Sequence, residues 1–225
     1  MKMDAKKLKE AFAPVAVVAG EGSIRVEIEN GMLTAICTDE AKVQLIKMSM
    51  GVISEPLGTF HVDAEKLMSA LNDIEDGGEV EMSLRGNILL FEGKNCYRSI
   101  MLLAEGSNPK EPAIKYDYYA EVNVSFLSRI NRIKDLSEFV TIRQYNDVLS
   151  IEASSDTEEA KYSMSVESTY NVCTCYPADM LSLLVKTIKT VDSVELMFES
   201  NYPLNLQWSN NGPLFEYYVA PRIES

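Results

Sequence analysis

The chain repeats itself. The stretch "HVDAEKLMSALNDIEDGGEVEMSL" (residues 61 to 84) aligns without a gap on "CYPADMLSLLVKTIKTVDSVELMF" (175 to 198), at an offset of 114 residues. Upstream of each copy, "IRVEIENGMLTAICTDEAKVQLIKM" (24 to 48) resembles "VTIRQYNDVLSIEASSDTEEAKYSM" (140 to 164). Self-similarity on this scale restricts the chain to one architecture built twice. In the upstream pair, Asn30-Gly31 and Asn146-Asp147 stand where a tight hairpin turn needs residues that tolerate positive φ. Each half therefore predicts a helix, three strands, a helix and three more strands.

The helices are predicted over roughly 5 to 13 and 63 to 74 in the first half, and 125 to 134 and 178 to 189 in the second. Each has apolar residues at spacings of three and four: Leu8, Ala11, Phe12 and Val15; Leu67, Ala70, Leu71 and Ile74; Leu127, Ile130 and Ile133; Leu181, Leu184, Val185 and Ile188. Asp63 suits an N-cap, and Pro177 suits a first helical turn. The fold class that follows is α+β, with two similar domains that each pack two helices on antiparallel sheet. Their expected limits are 1–103 and 118–225. Between them, 104–117 ("AEGSNPKEPAIKYD") has two prolines and no helical period, and reads as an extended connecting linker.

Composition matters here through charge. A formal net charge of −13 counts against a nucleic-acid partner, because duplex binding relies on Lys and Arg neutralising phosphates. The distribution tells a different story. The helical segments 5–13, 63–74, 125–136 and 178–189 hold nine lysines and arginines against six acids, in a chain with 21 basic and 34 acidic residues. Lys6 and Lys9, Arg129 and Arg132, and Lys186 and Lys189 recur at helical spacing opposite the apolar stripes, so each pair forms a basic ridge.

Little in the sequence points to catalysis. Cys37, Cys96, Cys173 and Cys175 have unrelated spacings, which argues against a disulfide framework. Cys173 and Cys175 share one face of a predicted strand and read as core residues, with no second pair to complete a tetrahedral metal set. His61, the one histidine, reads as structural. "GEGSIR" lacks the third glycine of a dinucleotide loop, "DIEDGG" fails as a calcium loop at Leu84, and no Walker lysine motif is present. The expectation is a non-enzyme without catalytic residues, metal or cofactor. No apolar run approaches the roughly 20 residues that span a bilayer, and "MKMDAKKLKEAF" has no signal-peptide core. A cytoplasmic protein with no membrane partner is expected, associated with the nucleoid, or nuclear if the source is eukaryotic.

Several segments, in order, resemble the DNA sliding clamps of the proliferating cell nuclear antigen (PCNA) family, especially its archaeal members. They are "KKLKEAF", "TDEAKVQLI", "RINRIKDL", "NYPLNLQW" and the closing "YYVAPRIES". The resemblance covers essentially the whole chain, including the duplication and the linker. It implies a ring-forming clamp fold, a homotrimer closed head to tail around double-stranded DNA, and a role in DNA replication and DNA repair as a polymerase processivity factor. It also implies partners: DNA polymerase, a clamp loader and other peptide-motif clients. By position, Lys6, Lys7, Lys9, Arg129, Arg132, Lys186 and Lys189 would face the DNA. Ser69 and Asn72 stand where family members often carry lysines. A client-peptide groove would be walled by Val43, Leu45, Ala113, Ile114, Pro203, Val219, Ala220, Pro221 and Ile223. Subunits would meet through the edge strands carrying Tyr97, Ser99 and Met101, and Lys161, Tyr162 and Met164. The alternative on the same fold is a checkpoint-type or viral clamp-like scaffold that does not close as a homotrimer.

Overall fold

The structure, a computed structural model, describes residues 1–167, 170–188 and 190–222. Two compact units emerge: Met1–Glu111 with Asn210–Phe215, and Pro112–Ser209 with Glu216–Ser225. The first contains β1 (Lys2–Asp4), α1 (Ala5–Ala19), β2 (Ser23–Glu29), β3 (Met32–Thr38), β4 (Gln44–Gly51), β5 (Gly58–Asp63), α2 (Ala64–Asn72), β6 (Glu79–Arg85), β7 (Ile88–Gly93) and β8 (Tyr97–Met101). The second continues with β9 (Ala120–Asn123), α3 (Val124–Leu127), α4 (Ile130–Ile133), β10 (Phe139–Tyr145), β11 (Val148–Ser154), β12 (Glu159–Ser165), β13 (Val172–Pro177), α5 (Ala178–Thr187), β14 (Ser193–Met197), β15 (Leu204–Ser209) and β16 (Leu214–Val219).

Strand order shows the duplication directly. In the first unit strands run β5-β2-β3-β4 and β1-β6-β7-β8; in the second, β13-β10-β11-β12 and β9-β14-β15-β16. Alternation sets the registers: Ile24, Val26 and Ile28 of β2 are buried while their neighbours face outward. The first hairpin turn has the expected geometry, with Asn30 at φ 51° and Gly31 at 74°; in the second only Asn146, at 53°, has a positive φ. Beyond the three-plus-three strands expected from sequence, each unit gains two: a fourth strand before its second helix, β5 or β13, and a short leading strand. β1 pairs with β6, and β9 with β14. Three or four residues are too few for a pattern to register.

The helices differ from expectation in two places. α1 runs six residues past the predicted end, straight through Pro14. A proline inside a helix costs about 3 kcal/mol, but the added turn buries Val15, Val18 and Ala19 at 3% exposure or less. Burying valine side chains contributes roughly 1.5–3 kcal/mol each, which outweighs the break. Gly20, at φ 57°, then caps the helix by donating to the Ala16 carbonyl at 3.0 Å. In the second unit the single predicted helix is two short turns, α3 and α4. Ser128 Oγ donates to the Val124 carbonyl at 2.8 Å beside its own N–H, and the ladder then tightens to three-residue spacing, the Arg129 N–H donating to the Phe126 carbonyl at 3.0 Å. Asp63 caps α2 as expected, accepting from the Lys66 N–H at 2.9 Å.

Cys173 and Cys175 are corrected by the structure. Cys173 is exposed and Cys175 half-buried, whereas Val172, Thr174 and Tyr176 between and beside them are buried. They do share a face, but it is the outer one. Cys37 is the core cysteine: its thiol donates to the Val15 carbonyl at 3.2 Å, and burial, with Asp39 nearby, pushes it well above the usual thiol range.

His61 pins the start of the linker. Its carbonyl accepts from the Leu103 N–H at 3.0 Å, and its Nε2 lies 3.1 Å from the Ser107 carbonyl. Gly106 makes this approach feasible, because a Cβ there would overlap the imidazole ring. Gly106→Ala is expected to lower stability by about 1–3 kcal/mol in urea denaturation, the usual scale of overpacking. His61→Ala in that background should recover part of the loss, so the double variant is less destabilised than the sum of the singles. Strictly additive losses would show that the ring is not what the new methyl meets.

Candidate nucleic-acid and protein interfaces

The cations of the first unit are largely engaged. Lys6 is 64% exposed, with the Glu10 carboxylate 3.9 Å away. Lys7 packs over Gly212, where an added Cβ would meet its Nζ at 3.0 Å. Lys9 is built into the fold: its Nζ donates to the Ile74 carbonyl at 2.6 Å and to Asp76 Oδ1 at 2.7 Å, and its side chain is only 18% exposed. The ammonium is spent on tying α1 to the segment after α2, which takes Lys9 away from a free basic ridge. On α2, Ser69 and Asn72 are exposed, and Lys66 has Asp63 at 4.0 Å.

The second unit presents its charge differently. Arg129 lies between α3 and α4, with its guanidinium 5.4 Å from the centroid of the Tyr162 ring, within cation–π range. Arg132 and Lys186 are exposed. Lys134 is held by Asp179 at 2.9 Å and Asp135 at 3.5 Å, and these carboxylates raise its pKa. A cavity of about 830 Å³ opens beside α3 and α4, where Ser125, Ser128, Arg129, Asn131 and Arg132 line it. Lys189 lies outside the described residues.

β8 and β12 each end a sheet, so each leaves one side of its backbone without a neighbouring strand among the described residues. On β8, Tyr97 and Met101 are 60% and 68% exposed, and Ser99 is exposed too. Ile100 alone is buried. β12 has no buried residue: Tyr162 and Met164 are half-buried, and Lys161 is exposed. The Lys161 ammonium reaches Glu152 at 2.7 Å on the adjacent strand. Burial alone would raise the Glu152 carboxyl, but hydrogen bonds from Lys161 and Ser150, with Arg143 beside it, hold it below the usual range.

The proposed groove residues divide between the units. In the first, Leu45 is buried and Val43 half-buried, after a turn in which Asp39 Oδ1 accepts from the Gln44 N–H at 2.7 Å. In the second, Val219 is fully buried, so it serves the core. Ala113 is exposed, and Ile114, Pro203, Ala220 and Pro221 are half-buried. Ile223 lies outside the described residues. Sequence reasoning missed the residues that organise the second unit's set. Tyr116 Oη donates to the Pro203 carbonyl at 2.8 Å, and the Asp117 N–H donates to Glu199 Oε1 at 2.7 Å. The Arg222 N–H donates to the Cys175 carbonyl at 2.9 Å, and its guanidinium sits 4.8 Å from the Phe139 ring centroid. The one available signal was a tyrosine within a polar, proline-containing linker.

No protein-family model matches the chain. It is 28% identical to the DNA polymerase sliding clamp of Thermoplasma acidophilum, in an alignment covering 100% of this chain and 98% of that protein. Among solved structures, A. fulgidus PCNA bound to the C-terminal region of FEN-1 superposes with a TM-score of 0.88 at 19% identity, covering 100% and 98% of the two chains. The PCNA2–PCNA3 complex of Sulfolobus tokodaii gives 0.80 at 18% identity, covering 100% of each chain. The duplicated architecture is thus that of the sliding clamps. In sequence the chain is similar to archaeal DNA polymerase sliding clamps, and in fold to PCNA structures.

Lys9→Met should be less stable than the parent at pH 7. The Lys9 ammonium, by hydrogen bond and charge, holds the Asp76 carboxyl below its unfolded value of 3.8. A depressed folded pKa contributes stability above that value and loses it as the pH falls through the lower folded one. Chemical denaturation of both proteins between pH 7 and pH 2.5 should show the gap narrowing below about pH 4. It should not vanish, because the bond to the Ile74 carbonyl does not titrate. A gap independent of pH would remove Asp76 from the account.

Proposed function

We propose that the chain is a DNA polymerase processivity factor whose copies close head to tail around duplex DNA and hold client proteins there. The observation that carries this reading is full-length similarity to a curated DNA polymerase sliding clamp, on a chain whose β8 and β12 each end a sheet. Heterologous contacts that close by rotation form a cyclic ring. In the proposed contact β8, with Tyr97, Ser99 and Met101, pairs with β12 of the next copy, with Lys161, Tyr162 and Met164. Three two-domain copies complete it. Such pairing would satisfy backbone groups on both edges and cover exposed apolar side chains.

Contacts to DNA would come from Arg129, Arg132 and Lys186, supported by Lys6 and Lys7. The cavity flanked by Arg129 and Arg132 would offer their guanidinium groups to phosphate oxygens. Phosphate contacts carry no sequence information and weaken with salt, so the protein would slide while topology prevents its loss. The remaining acidic surface discourages DNA from binding elsewhere. Because Lys9 is committed to Asp76, the grip of the first unit would be weaker than that of the second. The chain needs no chemistry of its own for this role.

Clients would dock through short peptides along the linker, Pro203 and the segment Ala220–Pro221. The A. fulgidus relative is bound to the C-terminal region of FEN-1, which supports a peptide as the occupant. The S. tokodaii structure joins two different chains, and so favours a mixed ring as the competing arrangement.

A primer-extension assay with the polymerase from the same source tests the reading. With a clamp loader present, products on primed circular DNA should lengthen severalfold when the protein is added, and the effect should shrink as salt rises. Equal product lengths with and without it would contradict the proposal.

A further inference from the structure

We propose that Tyr116 is a positioning residue for the client groove, pinning the linker so that one wall stands in place before a peptide arrives. This rests on the groove reading given above. Residues 104–117 contain no helix or strand, so the part of the wall that includes Ala113 and Ile114 has no ladder to hold it. Two long-range bonds replace the ladder: Tyr116 Oη to the Pro203 carbonyl at 2.8 Å and the Asp117 N–H to Glu199 Oε1 at 2.7 Å. Ile114 stands two residues before the first of them.

The loop that receives both bonds is itself fixed. Thr174 Oγ1 donates to the Glu199 carbonyl at 2.9 Å, and Tyr176 Oη to the Tyr202 carbonyl at 3.0 Å. Tyr176 is completely buried and Thr174 nearly so, so β13 anchors the loop and the loop anchors the linker. Burial pushes the Tyr116 phenol well above its ordinary range, and Tyr218 and Glu199 add to the shift. The hydroxyl therefore keeps its proton and remains a donor. Tyr218 lies on β16, which leads into Ala220 and Pro221. One phenol thus stands among the linker, the Pro203 loop and the strand before the tail.

A pinned wall reduces the ordering that a peptide must impose, and preorganisation of this kind shows as affinity. Losing one hydrogen bond of ordinary net worth weakens binding about fivefold, equivalent to about 1 kcal/mol.

The test uses the full chain and a fluorescently labelled peptide of the C-terminal region of A. fulgidus FEN-1. Peptide affinity and amide hydrogen exchange over residues 112–119 are measured for the parent, Tyr116→Phe and Glu199→Ala. The proposal expects faster exchange in both variants and a peptide Kd about fivefold weaker for Tyr116→Phe. Unchanged exchange would show that the bond does not pin the linker, and overturns it. Faster exchange with unchanged or tighter peptide binding would leave a purely structural bond, and also overturns it. If the parent fails to bind the peptide while exchange still responds, the groove reading fails and the client role falls with it.

Discussion

Among the strands that end a sheet, β8 and β12 are the two on which the proposed assembly depends. β8 and β12 each end a sheet, and a strand in that position presents unpaired N–H and C=O groups that another strand can complete. Natural proteins usually blunt such edges with charge, proline or a bulge. β8 instead exposes Tyr97 and Met101, and no residue of β12 is buried. One edge lies in each unit of a duplicated chain. Copies that join the first unit of one chain to the second of another never run out of matching partners until the assembly closes, which is the property a ring requires.

On the proposed reading, an acidic protein can serve DNA because a tether that depends on topology needs only loose contact, so a few cations would suffice. The two units differ in which cations they leave exposed. In the first, Lys9 is committed to Ile74 and Asp76, and α2 has Lys66 as its one basic residue, with Ser69 and Asn72 uncharged. In the second, Arg132 and Lys186 remain exposed, and Arg129 stacks near Tyr162.

Much of this was legible in the sequence because it is periodic. Gapless self-alignment gave two units of like order, helical spacing placed the helices, and Asn30-Gly31 and Asp63 marked a turn and a cap. What escaped was set by tertiary context. β1 and β9 are too short to carry a pattern. Pro14 stays helical because burial beyond it outweighs the lost backbone bond, and the helix after Val124 breaks where the Arg129 N–H turns to the Phe126 carbonyl. Lys9 looks like any surface lysine until Asp76, 67 residues away, is seen beside it. Tyr116 reads as an ordinary linker residue, because its partner carbonyl at Pro203 is 87 residues further along the chain.

Size-exclusion chromatography with light scattering at tens of micromolar tests the central claim most directly. A ring of three chains predicts a mass about three times 25.2 kDa, falling toward one chain only on dilution. A single-chain mass that persists at the highest concentration reached would contradict closure through β8 and β12.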